Sequence, residues 1–157
     1  MGHSYDWASI PSYIPKVMKA FPLTIQILLL SLIFSLIIGA VVALGALSKN
    51  KAAKAAAKGW ISFMRGIPTL VLIFLLYLGL PQLMNALGVN MSGISKTTYI
   101  VACLSLSTSA NMAEMMRAAY LSVNKGQKEA AYSVGMKPLM AFRRIIFPQA
   151  LGVAIPT

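Results

Sequence analysis

The chain has 157 residues, of which 58% are hydrophobic and only 11% charged, with a mean hydropathy of +0.74. Soluble domains carry about 25% charged residues, so neither a water-soluble domain nor a disordered chain fits. Fourteen Lys and Arg stand against three acids, Asp6, Glu114 and Glu129, giving a net charge of +11; the cations alternate with long apolar runs, as basic loops on one face of a membrane protein do, rather than forming a nucleic-acid surface.

The first apolar run, 23–47, holds 25 residues without a charge. As a helix it is about 37 Å long, enough to cross about 30 Å of hydrocarbon with some tilt. Residues 1–22 are an extracytoplasmic leader on this reading. Gly39, Ala40, Ala43, Gly45 and Ala46 give the second half of the run a small-residue face suited to close helix packing.

A basic, alanine-rich stretch follows, 48–66, helix-forming in composition but too polar to span. Arg65-Gly66-Ile67-Pro68 then opens a second span over 67–81, with Pro68 in a first turn, where its missing N–H costs nothing, and Pro81 at the exit. Residues 82–96 read as a loop rich in Gly, Asn and Ser. The third span, 97–117, is unusually polar, with Ser105, Ser107, Thr108, Ser109 and Asn111; in lipid such groups face protein or a cavity. Packing between helices accounts for the hydroxyls of this span as well as a cavity does, and Glu114 and Arg117, three apart, can pair on one helix face.

Residues 118–147 are mixed and basic, and 148–157 begin a fourth span. Eleven of the fourteen cations fall in 48–65 and 117–144. The positive-inside rule makes those segments cytoplasmic, and places the N-terminus and the 82–96 loop outside. The single cysteine, Cys103, excludes an internal disulfide, and one histidine, His3, leaves no metal-ligating cluster.

Within the cytoplasmic segment a short helix starts at Asn124 as N-cap, with Gln127 in the capping-box position, and ends at Gly135 in a left-handed conformation. A second helix runs from Pro138 to Phe147, with Phe142, Ile145 and Ile146 as an apolar stripe, and Pro148 limits or kinks it. A small, alanine-faced helix fits a groove on a partner, and a helix resting on the membrane is equally compatible.

Glu129-Ala130-Ala131, then Gly135, then Ile145-Ile146-Phe147-Pro148 resembles the EAA loop of ABC transporter permeases, with Phe147 where leucine is usual. Ala113-Glu114-Met115-Met116-Arg117, Gly126-Gln127, Arg65-Gly66-Ile67-Pro68 and Phe147-Pro148-Gln149-Ala150 extend the resemblance to the polar amino-acid uptake permeases, from Leu23 to the end. The resemblance implies an all-α integral membrane protein with three membrane helices, a cytoplasmic coupling-helix loop and the start of a fourth helix. It implies a multi-pass subunit of the bacterial inner membrane in an ATP-driven importer working by alternating access. The partners implied are a second permease copy or sister permease, a cytoplasmic ABC ATPase, an extracytoplasmic solute-binding protein and membrane lipid. Glu129, Ala130, Ala131 and Gly135 are the implied ATPase-coupling residues, and Ser107, Asn111, Glu114 and Arg117 are the candidates for the solute path that a permease implies. The chain has no phosphate-binding loop, so ATP and Mg belong to the ATPase and no cofactor is bound here. The alternatives are a permease for another small solute and a truncated, non-transporting scaffold. Two more spans, about 60 residues, are expected after the loop, so 1–157 reads as one incomplete transmembrane domain.

Overall fold

The computed structural model describes residues 10–155. The start of the leader, with His3 and Asp6, and the last two residues of the 148–157 segment lie outside the described residues. Every regular element among the described residues is helical. We number them α1 (Ile10–Leu47), α2 (Lys51–Gly66), α3 (Thr69–Ala86), α4 (Lys96–Ser122), α5 (Lys125–Ser133) and α6 (138–154).

Helix α1 is 38 residues long, about 57 Å. It begins thirteen residues before the expected start at 23, so residues 10–22 of the leader are helical. Pro15 and Pro22 lie inside it. The basic stretch 48–66, helix-forming in composition, is helical over most of its length. Asn50 caps it, its side-chain oxygen accepting from the Ala52 N–H at 2.9 Å, and α2 follows. Ala57, Ile61 and Met64 are buried at helical spacing on one side of α2, and its lysines are exposed. The second apolar helix is displaced from 67–81 to Thr69–Ala86. Ile67 and Pro68 are extended, with ψ of 125° and 132°, and separate α2 from α3. Pro81 does not end α3; the helix continues to Ala86, where Gly88 at φ +80° turns the chain. Helix α4 runs five residues past the expected end at 117.

Two π-turns share one cause. The residue before Pro81, Leu80, donates its N–H to the Leu75 carbonyl five residues back. Phe147, before Pro148, donates in the same way to Phe142. A proline ring crowds the carbonyl four residues behind it and offers no N–H, and a widened turn relieves both problems without breaking the helix. For that reason Pro148, expected to limit or kink the helix, does not end it at Phe147, and α6 continues to Ala154.

The centre of the fold is the α1–α4 pair. Ser31, Ser35 and Ala43, spaced by fours or eights, are buried on α1, and Val101, Ser105, Ser109 and Ala113 are buried on α4. A Cβ at Gly39 would stand 2.8 Å from the Met112 Cβ and 3.1 Å from the Ser109 carbonyl. The two backbones therefore approach as closely as glycine allows, the packing mode that small residues give helices in lipid. Helix α2 closes over this pair, Ala57 and Ile61 joining Ala43, Ala46 and Ala113 in one apolar cluster. A second cluster joins Met64, Leu72, Cys103 and Ala110 across α2, α3 and α4. Most large apolar side chains of α1 and α3 remain exposed, and both helices are long and apolar enough to cross a membrane.

Candidate functional sites

Two groups of residues stand out, one on α5 and one on α4. Helix α5 is defined at both ends by its own sequence. The Asn124 side-chain oxygen accepts from the Gly126 N–H at 2.8 Å, one position earlier than the capping box expected through Gln127. At the other end Gly135 has φ +78°. The Gly135 N–H donates to the Tyr132 carbonyl at 3.0 Å, and the Met136 N–H to the Ala131 carbonyl at 3.0 Å. This crossed pair is a Schellman closure, which requires a left-handed residue where Gly135 stands.

The closure sets which side of α5 is outward. Ala131 is only 2% exposed and faces the chain itself, where α5 packs on the first turns of α6. It cannot enter a partner's groove, so of the two alanines only Ala130 is available for contact. Gly126, Glu129, Ala130 and Ser133 are exposed and share the side opposite Ala131. The result is a short ridge of small residues with one carboxylate. Gly135 is exposed and acts through the turn.

An aromatic chain ties α6, on which α5 packs, to the end of α4. Tyr120 at the end of α4 lies 6.5 Å from the ring of Phe142, which lies 5.9 Å from Phe147. Ile146 is buried beside them, whereas Arg143 and Arg144 are exposed. Tyr120 carries no sequence signal for this role, because its partners are more than twenty residues away.

On α4, Ser107, Asn111 and Glu114 lie on one stripe at spacings of four and three, with Arg117 at its edge. Ser107 shares a hydrogen bond of 3.2 Å with the Thr69 hydroxyl at the start of α3. Asn111 is exposed. Arg117 grips Glu114 with two hydrogen bonds, the Nε to Oε2 bond at 3.0 Å. Both side chains are about one-third exposed. Arg65 and Lys58, from α2, are near enough to act on the Glu114 charge. One carboxylate thus holds a cation of its own helix and feels the charge of two from α2.

The other hydroxyls of α4 have different work. Ser105 and Ser109 are buried toward α1, donating to the carbonyls of Val101 and Leu106 at 2.6 and 2.7 Å. Ser109 also accepts from the Trp60 indole N–H at 3.3 Å, tying α2 to α4. Thr69 and Trp60 were not singled out by the sequence, since only the fold brings them to α4. Cys103 is fully buried, its Sγ 3.9 Å from the Thr69 carbonyl.

Residues 35–157 match the family model described as the binding-protein-dependent transport system inner membrane component. The chain belongs to this family. It is 42% identical over 154 residues to the probable amino-acid permease protein YxeN of Bacillus subtilis, covering 98% of this chain and 67% of that protein. It is 39% identical over 156 residues to the L-cystine transport system permease protein TcyL of the same organism, covering 99% and 65%. Among solved structures, the crystal structure of an amino acid ABC transporter with histidines superposes with a TM-score of 0.80 at 33% identity, over 98% of this chain and 68% of that one. The chain thus spans about two thirds of the length of the curated relatives it matches. Membership makes this permease a transport component of the inner membrane and not an enzyme.

Proposed function

We propose that this permease serves an ATP-driven importer of polar amino acids, with α5 as the coupling helix that enters a groove on a cytoplasmic ABC ATPase. The observation that carries this reading is the ridge of Gly126, Glu129, Ala130 and Ser133, exposed and held in place by the Asn124 cap and the Gly135 closure. Ala131 and Gly135 shape the contact from within. ATP binds with Mg to the ATPase, whose closure pushes α5; the buried Ala131 side and the Tyr120–Phe142–Phe147 chain pass that displacement to α4 and α6.

The stripe of Ser107, Asn111, Glu114 and Arg117 lines the solute path, completed by a second permease copy or a sister permease. A solute-binding protein delivers the amino acid from outside. Helices α1, α3 and α4 span the membrane, with the N-terminus outside and α2 and α5 in the cytoplasm, and α6 begins a fourth span. Two supports for this arrangement are the apolar length of α1 and α3 and the cation count at the α2 and α5 ends.

The experiment is ATP-driven uptake of labelled L-glutamine and L-cystine into proteoliposomes holding the permease, its ATPase and its binding protein. Ala130→Trp is expected to abolish ATPase co-purification and uptake while leaving the permease folded, because it overfills an exposed ridge and not a core. ATPase retention by Ala130→Trp would overturn the coupling role of α5, and uptake without ATP would overturn the importer.

A further inference from the structure

Helix α2 has three distinct sides. One is buried, through Ala57, Ile61 and Met64, which locks its rotation about its own axis. A second carries Lys51, Lys54 and Lys58, within about 60° of one another at about 100° per residue. All three are exposed. A third, on the opposite flank, exposes Ala52, Ala56 and Phe63, the last to 61%. A helix with a basic edge and an apolar edge, both uncovered, is built for a membrane–water boundary.

The depth of α2 agrees with this. A Cβ at Gly45 would lie 3.2 Å from the Ala57 Cβ and 3.6 Å from the Ala53 carbonyl, so the middle of α2 lies level with the last turn of α1. The apolar run of α1 ends at Leu47, two residues later. Lys54 and Lys58 directly follow Ala53 and Ala57 in sequence, so their backbones lie at the level where the apolar run of α1 ends. Counter-charge from the protein is scarce: 48–66 contains no acid, and among the described residues the acids are Glu114, gripped by Arg117, and Glu129 on α5. Lys58 lies within reach of Glu114, but Lys51 and Lys54 stand outside that pair.

We propose that the Lys51–Lys54–Lys58 edge of α2 binds the phosphodiester headgroup of an anionic phospholipid in the cytoplasmic leaflet, with Phe63 and the alanines of the opposite flank against acyl chains. Phosphate is the charge complement the edge lacks, and the exposed apolar flank favours lipid over the surface of a soluble partner. The inference rests on the cytoplasmic placement of α2 proposed above.

The test offers the permease–ATPase complex equal phosphatidylglycerol and phosphatidylcholine and counts retained lipid by native mass spectrometry. The expected result is preferential retention of phosphatidylglycerol, reduced roughly fivefold for each of Lys51→Gln, Lys54→Gln and Lys58→Gln, and reduced by raising salt. Lys16→Gln with Lys19→Gln, on α1, is expected to leave it unchanged. In the unaltered complex, photoactivatable phosphatidylglycerol is expected to cross-link to 51–66, which removes any dependence on how the variants fold. Equal retention of both lipids, no cross-link to 51–66, or loss of the ATPase instead of lipid from the triple variant each overturns the proposal. Labelling of α2 from the outside would overturn the proposed orientation and leave the lipid count to be read separately.

Discussion

At the scale of single residues, two positions carry more than their side-chain chemistry announces. Gly135 sits at φ +78°, where an L side chain costs about 1–2 kcal/mol. Nothing lies within 4 Å of a Cβ placed there, so the penalty is conformational and not steric. Gly135→Ala is therefore expected to fray the end of α5 and weaken ATPase co-purification several-fold, with Gly135→Asn intermediate. Co-purification titrated against ATPase concentration reads both. Glu114 is the other. Its bond to Arg117 is one-third exposed and screened by water, so Glu114→Gln is expected to cost about 1 kcal/mol or less in stability. Its effect on function is expected to be larger, because Arg117 then loses its hydrogen-bonded partner, and the charge on which Arg65 and Lys58 also act is gone. A small drop in thermal midpoint with a large drop in uptake checks this; equal drops would make the pair merely structural.

At the scale of elements, the α1–α4 contact is the most constrained. Adding even one methyl at Gly39 meets Met112 and the Ser109 carbonyl, and backbone cannot yield as a flexible side chain does. Gly39→Leu is expected to destabilise by about 1–3 kcal/mol, read as a lower thermal midpoint in detergent. Gly59 offers the contrast: it lies inside α2 with nothing within 4 Å of its Cβ position. Gly59→Ala is expected to be neutral or to stabilise by about 0.5–1 kcal/mol, through helix propensity alone. The element boundaries were the least legible part of the chain. Pro81 is expected at a helix exit and Pro148 to limit or kink its helix, but a π-turn accommodates each, with a bond from the preceding residue five positions back. The charge-free run begins at Leu23, after a segment that carries Lys16 and Lys19, yet two exposed lysines on a helix side do not interrupt α1. The serines show the same limit. Ser105, Ser107 and Ser109 look alike in sequence; one spacing turns Ser105 and Ser109 toward α1 and leaves Ser107 toward Thr69.

At the scale of the whole molecule, orientation is the property most open to direct measurement. In a Cys103→Ala background, maleimide is expected to label Lys49→Cys and Lys137→Cys from the cytoplasmic face and Gly88→Cys from outside. Cys103 itself, fully buried, is expected to stay unlabelled in the folded protein. Labelling of Lys49→Cys and Gly88→Cys from the same side would remove α3 as a span.

Some of this protein was present in the order of its residues alone. Long charge-free runs, cations clustered between them, and the spaced Glu129-Ala130-Ala131–Gly135 pattern determine a helical membrane component of this transport family, because transfer to lipid and local turn chemistry depend on residue type and spacing. The tertiary structure decided what those residues do. It turned Ala131 inward and Ala130 outward, made α2 a helix with one buried and two exposed sides, joined Trp60 to Ser109, and brought Lys58 and Arg65 toward Glu114. These depend on which side of each helix meets its neighbour, and that is fixed only when backbones as close as Gly39 and Ser109 pack together.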